Sequence, residues 1–361
     1  MTHAPRPHVG WSPDRSQPVA HLGGWVARDL MEVRSDARAL DTSGRWAVVI
    51  PYAGDPVFAR FATWRPGPAE EVAGPWRGPE SWSSSMAEAD YVAAVDHVRE
   101  RIAAGDVYQA NVCRILTGAL PEDARSDIGG LHALLTRGNP APHAAMINIP
   151  GVVEIASASP ELFIARDGDE VLTGPIKGTG RTAADLLPKD QAENVMIVDL
   201  MRNDLSRVCA TGTVSVPDLL AEEEHPGLVH LVSRVRGVLA PDTSWTDVID
   251  ATFPPGSVTG APKLAAMAII DDVELASRGP YCGAVGWVDA DAGRANLAVA
   301  IRTFWKSEDR VHFGTGAGIT WGSDARAEWR ETELKAERLV AIASGAWEPE
   351  RHRGTLDEVR S

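Results

Sequence analysis

A chain of 361 residues, 44% hydrophobic and 24% charged, is long enough for one large or two ordinary domains around a sizeable core. Fifty acids against 35 lysines and arginines give a formal charge of -15, which argues against a broad basic footprint for nucleic acid or for an anionic membrane. Any anionic substrate must be met by local basic groups. Cys113, Cys209 and Cys282 are far apart and form no CxxC pair, so neither a disulfide framework nor a zinc site is expected. With no apolar leader and no run near the ~20 apolar residues of a membrane span, the expectation is a soluble, cytoplasmic protein.

In chain order, residues 1–20 are rich in proline and polar residues and read as a tail, as do the charged residues 346–361. Residues 21–85 form a short N-terminal segment with apolar runs such as WAVVIPY, then a Pro/Gly/Trp-rich connection from Thr63 to Ser85. Residues 86–345 are the main domain. From Ala87 to Ala104 the positions Tyr91, Val92, Val95, Val98 and Ile102 keep helical spacing, and Gly105-Asp106 stops the pattern before the alternating strand VYQANVCRI. MINIP-GVVEIAS and LFIAR-DGDE-VLT read as hairpins, and WVDA-DAG-RANLAVAIRTFW with VHFGTGAGI as three further antiparallel strands. Helical stretches near 189–203, 262–275 and 324–344 interrupt them, which predicts a mixed α+β domain with antiparallel sheets rather than a βαβ series.

In KDQAENVMIVDLM, Asp190 and Glu193 are three apart and share a helix face, and Glu328 and Glu331 repeat the device in DARAEWRETELKAERL. Such a face is most often solvated surface; two of them converging would suit a hard cation with oxygen ligands, magnesium above all. FGTGAGI and GSVTGAPK look superficially like phosphate loops. No βαβ unit surrounds the first, and Lys263 in the second does not directly follow its glycine, so nucleotide binding is not expected. Lys177 in PIKGTG is held between a proline and a glycine, either an exposed turn lysine or, if desolvated or beside another cation, a nucleophile. His230 shares a strand face with Leu228 and Val232, as a core histidine would. Arg302 in the apolar stretch AVAIRTF calls for an anionic partner, for which bidentate carboxylate binding is the natural fit.

Taken together, YQANV, SASPELF, PIKGT, ENVMIVDLMRNDLSRV, HLVSRV, SVTGAPKLAAMAIID, YCGAVGW, AIRTF, GAG and AEWRET occur in the order seen in the chorismate-binding enzymes, a family this chain resembles from about Met86 to Ala343. The resemblance implies a four-layer αββα sandwich, two packed antiparallel sheets with helices outside, and makes 86–345 the chorismate-binding catalytic domain. It implies that Glu193 and Glu331 hold Mg2+ while Asp190 and Glu328 orient its waters. Tyr281 and Arg302 match positions that hold the enolpyruvyl carboxylate, and Ser257, Gly316 and Gly318 match other substrate contacts, with Lys263 and Gln109 grouped beside them. Glu161 matches the acid beside the departing ring hydroxyl, and His230 a histidine assisting that departure.

Two positions divide the family's activities. Water-adding isochorismate and salicylate synthases carry a general-base lysine where this chain has Gln109, and an amide cannot abstract that proton. Anthranilate synthases typically have alanine where Lys177 stands, whereas the aminodeoxychorismate branch has a lysine that attacks the ring. The expectation is therefore amination of chorismate through a lysine-bound intermediate, with ammonia delivered by a separate glutamine amidotransferase subunit. Anthranilate formation is the runner-up, and an inactive chorismate-binding scaffold the alternative of another class.

Overall fold

The computed structural model describes residues 17–122, 126–180, 188–225 and 228–347. The N-terminal segment folds as β1 (Val19–Leu22), β2 (Trp25–Arg34), β3 (Arg45–Ile50) and β4 (Val57–Pro66), so the first strand begins inside the expected tail. Next come β5 (Ser83–Ser84), α1 (Glu88–Ala103), β6 (Gln109–Ala119) and α2 (Ile128–Gly138). Two hairpins follow, β7 (His143–Ile149) with β8 (Val153–Ser159) and β9 (Leu162–Asp167) with β10 (Glu170–Gly174). The middle of the chain forms β11 (Ile176–Gly180), α3 (Pro188–Ser206), β12 (Ser215–His225), β13 (Leu228–Val238) and α4 (Trp245–Thr252). The last third forms β14 (Gly260–Ala261), α5 (Lys263–Val273), β15 (Ala284–Asp289), β16 (Arg294–Val299), β17 (Thr303–Ser307), β18 (Arg310–Ile319) and α6 (Ala325–Ala343).

Among the described residues every strand pairing is antiparallel, giving a mixed α+β fold. One arm runs from β12 through β13, β10, β9, β16, β15, β3, β4 and β2 to β1. The other continues from β1 through β7, β8, β17 and β18 to β6, with the short β14 and β5 on β6. A cluster of small residues, Ala20, Ala27, Ala47, Ala59, Ala145 and Ala298 with Val49, Ile147 and Ile155, brings both arms into one core, where β15 packs on β7 without pairing to it.

Helices cover the remaining apolar faces. Tyr91, Val95 and Val98 of α1 pack with Ala266 and Ile269 of α5 over β6 and β18, the buried Val95, Val98 and Ile269 each contributing about 1.5–3 kcal/mol. Asp90 accepts from the Ala87 N–H at 3.2 Å, and Asp324 from that of Ala327 at 2.8 Å, satisfying donors that a helix start leaves open. Ile197, Val198, Met201 and Leu205 turn one side of α3 into the core shared with α4 and β13. No described helix is long and apolar enough to cross a membrane.

One strand expected to be continuous is broken. AVAIRTF stops at Val299 and restarts at Thr303, because β16 pairs with β9 and β15 whereas β17 pairs with β8 and β18. The chain changes partners through Ala300 to Arg302, and Arg302 takes a φ of 51° to do so. Its side chain therefore leaves a bend between the arms rather than the face of a regular strand.

Candidate active site

That bend gathers several of the residues singled out above. The Val299 N–H donates to the Glu161 carbonyl at 3.0 Å, the Cys282 N–H to the Ala300 carbonyl at 3.0 Å, and the Ala158 N–H to the Arg302 carbonyl at 3.0 Å. Glu161, Tyr281 and Arg302 thus leave neighbouring points on three chain segments. Glu161 is buried at 4% exposure, its N–H further held by Ser159 Oγ at 3.2 Å. Burial pulls the pKa of Arg302 down, with no charge among the described residues acting against it. A guanidinium in that setting can receive a carboxylate through two parallel hydrogen bonds. Burial, followed by the nearby Cys113 and Cys282 thiols, pushes the Tyr281 phenol well above its usual range, so it remains a neutral donor.

The Tyr281 ring lies on β18, and glycine there is a packing requirement. A Cβ on Gly314 would come within 2.1 Å of the ring, and one on Gly316 within 2.5 Å of Cys113 Sγ. Gly316 and Gly318 stand opposite Cys113 and Asn111 of β6, which brings the glycine strand beside Gln109. The Gln109 side chain is fully buried, and neither atom of its amide has a hydrogen-bond partner among the described residues. Ser257, in the short turn Gly256–Val258, is likewise buried with its Oγ unpartnered. The turn is joined to β6 by the Asn111 N–H donating to the Thr259 carbonyl at 2.8 Å. Leaving a buried polar group unsatisfied costs about 1–3 kcal/mol, a cost that a polar ligand reaching Gln109 and Ser257 would remove.

The acid pairs lie on the helices expected to carry them. Glu193 is on α3, where its neighbour Asn194 is buried and donates to the Leu231 carbonyl at 3.3 Å. The same helix packs against the Ser257 turn, and a Cβ on Gly256 would meet Leu200 at 2.4 Å. On α6, Glu328 is buried and Glu331 is half-exposed, paired with Lys335 at 2.8 Å. Lys335 in turn donates to the Gly316 carbonyl at 3.0 Å, tying Glu331 to the glycine strand. Glu193, Glu328 and Glu331 offer only oxygen donors, the set a hard cation such as magnesium takes. Among the described residues no three acids, histidines or cysteines are grouped tightly enough to hold an ion.

Lys177 and His230 fall on adjacent paired strands, with Ile176 opposite Val232 and Thr179 opposite His230, and α3 packs over β11. The side chains of Lys177, Asp190 and His230 lie outside the described residues. Lys263 is engaged elsewhere. Its ammonium donates to Asp204 of α3 at 2.7 Å and to the Thr252 carbonyl at 3.0 Å, so it locks α5 to α3 and α4.

Two arginines that sequence reasoning passed over organise the site. Arg278, 2% exposed, pairs with Glu274 at 2.6 Å and donates to the carbonyls of Val258 and Asn111 at 2.9 and 2.8 Å, clamping the Ser257 turn onto β6. Arg114 leaves β6 towards α6 and donates to Thr332 Oγ1 at 2.9 Å. Arg114 inside the apolar strand NVCRIL was an available signal, whereas Arg278, between Ser277 and Gly279, carried none.

The sequence profile described as chorismate binding enzyme matches residues 60–341. Anthranilate synthase component 1 1 of Haloarcula marismortui is 40% identical over 272 residues, 72% of this chain and 54% of that protein. Aminodeoxychorismate synthase component 1 of Salmonella typhimurium is 36% identical over 278 residues, 74% of this chain and 60% of that protein. The chain thus spans little more than half the length of these curated relatives. Among solved structures, anthranilate synthase component I from Streptococcus pneumoniae superposes with a TM-score of 0.72 at 22% identity, covering 94% of this chain and 95% of that one. MenF, the menaquinone-specific isochorismate synthase of Escherichia coli, gives 0.74 at 17%, covering 92% and 90%; both likenesses speak to the fold alone.

Proposed function

Since the chain belongs to the chorismate binding enzyme family, we propose that it converts chorismate and ammonia to 4-amino-4-deoxychorismate, as the aminating component of an aminodeoxychorismate synthase. The observation that supports this reading is Lys177 on β11, the strand whose Thr179 pairs with His230 and against which the helix bearing Glu193 packs. In the proposed reaction the Lys177 amine bonds to ring carbon two as the hydroxyl leaves carbon four, protonated by Glu161 with His230 assisting. Ammonia then bonds to carbon four and the Lys177–carbon two bond breaks, returning the amine. The enolpyruvyl ether stays attached, its carboxylate held by Arg302 and Tyr281, while the unpartnered Gln109 amide and Ser257 hydroxyl take up ring polar groups.

Magnesium, held by Glu193 and Glu331 with Asp190 and Glu328 orienting its waters, would anchor the ring carboxylate. Ammonia comes from a separate glutamine amidotransferase subunit, in keeping with the component 1 names of the relatives. A pyridoxal-dependent lyase acting next would give p-aminobenzoate for folate, in the cytoplasm. The four-layer αββα arrangement belongs to this reading and is supported by the alanine-rich core between the arms.

The second reading is anthranilate synthase, favoured by the 40% identity to the Haloarcula protein. Purified protein incubated with chorismate, magnesium and ammonium, with and without an added lyase, separates the two. Release of p-aminobenzoate only with lyase is expected; anthranilate and pyruvate without it would sink the proposal, and chorismate binding without any turnover would favour a scaffold. Mass spectrometry in the absence of ammonia should find a chorismate-derived adduct on Lys177 that Lys177→Ala lacks.

A further inference from the structure

Two acids of α6, Glu328 and Glu331, each come one residue before a side chain that Arg114 grips. Trp329 follows Glu328, and Thr332 follows Glu331. Arg114 is 5% exposed, and its guanidinium stands 4.1 Å from the centre of the Trp329 ring and donates through Nε to Thr332 Oγ1 at 2.9 Å and through Nη1 to Ser84 Oγ at 3.2 Å. Thr315, its partner across the β6 and β18 register, donates to the Thr332 carbonyl at 2.9 Å. One turn of α6 is therefore gripped at positions 329 and 332 from two adjacent strands. We propose that Arg114 is a positioning residue, fixing through Trp329 and Thr332 where the carboxylates of Glu328 and Glu331 present themselves to a divalent cation.

The helix geometry makes the coupling direct. Successive residues are separated by ~100° and ~1.5 Å, so a small roll or slide of the turn carries both acids with it. A purely apolar contact would allow such sliding, because side-chain packing is weakly directional. The forked guanidinium, stacked on one side chain and hydrogen-bonded to another three residues on, resists both movements. The inference rests on the metal-binding reading of Glu328 and Glu331, and the test separates the two.

The full chain, without chorismate, is titrated with Mn2+ as probe, following free ion by electron paramagnetic resonance. Folding is checked by circular dichroism and thermal melting. Arg114→Met and Thr332→Val are each expected to weaken Mn2+ binding at least fivefold with the fold intact. Thr332→Ser, which keeps the acceptor, should bind within twofold of wild type, and the double variant Arg114→Met/Thr332→Val should be no weaker than the weaker single variant. In turnover the constant for magnesium should rise while kcat at saturating magnesium stays near wild type. If Arg114→Met does not fold, Thr332→Val decides by itself. Wild-type affinity in the folded variants overturns the positioning role alone; a wild-type protein that binds no Mn2+ overturns the metal reading and the proposal with it.

Discussion

Helix α3 presents Glu193 from an apolar bed of Ile197, Val198, Met201 and Leu205, with Asn194 and Asp204 as its buried polar ties. Helix α6 presents Glu328 and Glu331 from a polar lattice, in which Arg114 and Thr315 reach Thr332 and Lys335 reaches Gly316. Apolar packing holds a helix against its sheet but tolerates small slides, whereas directional hydrogen bonds fix its rotation and height. Beside Glu193 the directional hold among the described residues is the single Asn194 side chain, bonded to the Leu231 carbonyl and Ser233. The turn bearing Glu328 and Glu331 is instead held by Arg114, Thr315 and Lys335 together, so α6 is the one whose acids should answer most sharply to changes in their neighbours.

The largest expected effect comes from the acids themselves. Glu331→Ala should cut magnesium-dependent turnover by more than the roughly 10- to 100-fold that loss of an outer-shell partner costs, leaving the melting temperature nearly unchanged. Near-normal rates at limiting magnesium would remove Glu331 from the metal site. Lys263→Met strands the buried Asp204, whose pKa burial already raises against the pull of Lys263, and should cost about 3–5 kcal/mol in urea unfolding. A loss under about 1 kcal/mol would mean that the apolar bed holds α3 without this tie.

Asn194→Ala sharpens the contrast between the helices. It leaves the Leu231 carbonyl without its donor and should lower stability by about 1–3 kcal/mol. Mn2+ affinity should stay close to wild type, because the apolar side of α3 is untouched; a loss as large as that in Arg114→Met would erase the distinction.

The smallest effect at neutral pH lies away from both helices, at a buried histidine pair. His21 Nε2 donates to the Gly67 carbonyl at 3.0 Å, so its Nδ1 accepts from His132 Nε2 at 2.8 Å. Burial lowers both pKa values, that of His132 to about 3, with Glu70 and Glu71 pulling His21 the other way. Both rings are neutral in the fold, and the unfolded chain binds protons below about pH 6.5. Stability should therefore be level above that pH and fall by up to about 1.4 kcal/mol per unit and per ring below it. Urea titrations from pH 8 to 4 check the slope, and His132→Gln should flatten it; an unchanged slope would show that other groups control acid unfolding.

Local patterns carried a large share of the fold. Helical spacing in residues 87–104, and the acid-bearing stretches near 189–203 and 324–344, located α1, α3 and α6 to within a few residues, because their apolar stripes and stop signals are local. The hairpins of β7 with β8, β9 with β10 and β15 with β16 were equally legible from alternation around short polar turns. Helices α2 and α4 were not foreseen. In α2, IGGLHALLTRG opens on two glycines, and these fit because Gly129 and Gly130 lie against the backbone of Val72 and Gly74, a contact absent from any local pattern.

At the site, residue types and their order pointed to carboxylate, lysine and arginine chemistry, since these depend on side-chain identity. What the tertiary structure decided was which charges are already engaged and which stay available for a ligand. Lys263 and Arg302 are both cations in apolar-looking stretches, yet the first is neutralised by Asp204, 59 positions away in the chain, and the second is held at a strand break where, among the described residues, only burial acts on it. Arg114 likewise gains its meaning from Thr332, 218 positions further on. Partners so distant in sequence meet only because antiparallel pairing folds one strand beside another, and a buried charge is defined by what reaches it across that distance rather than by its neighbours along the chain.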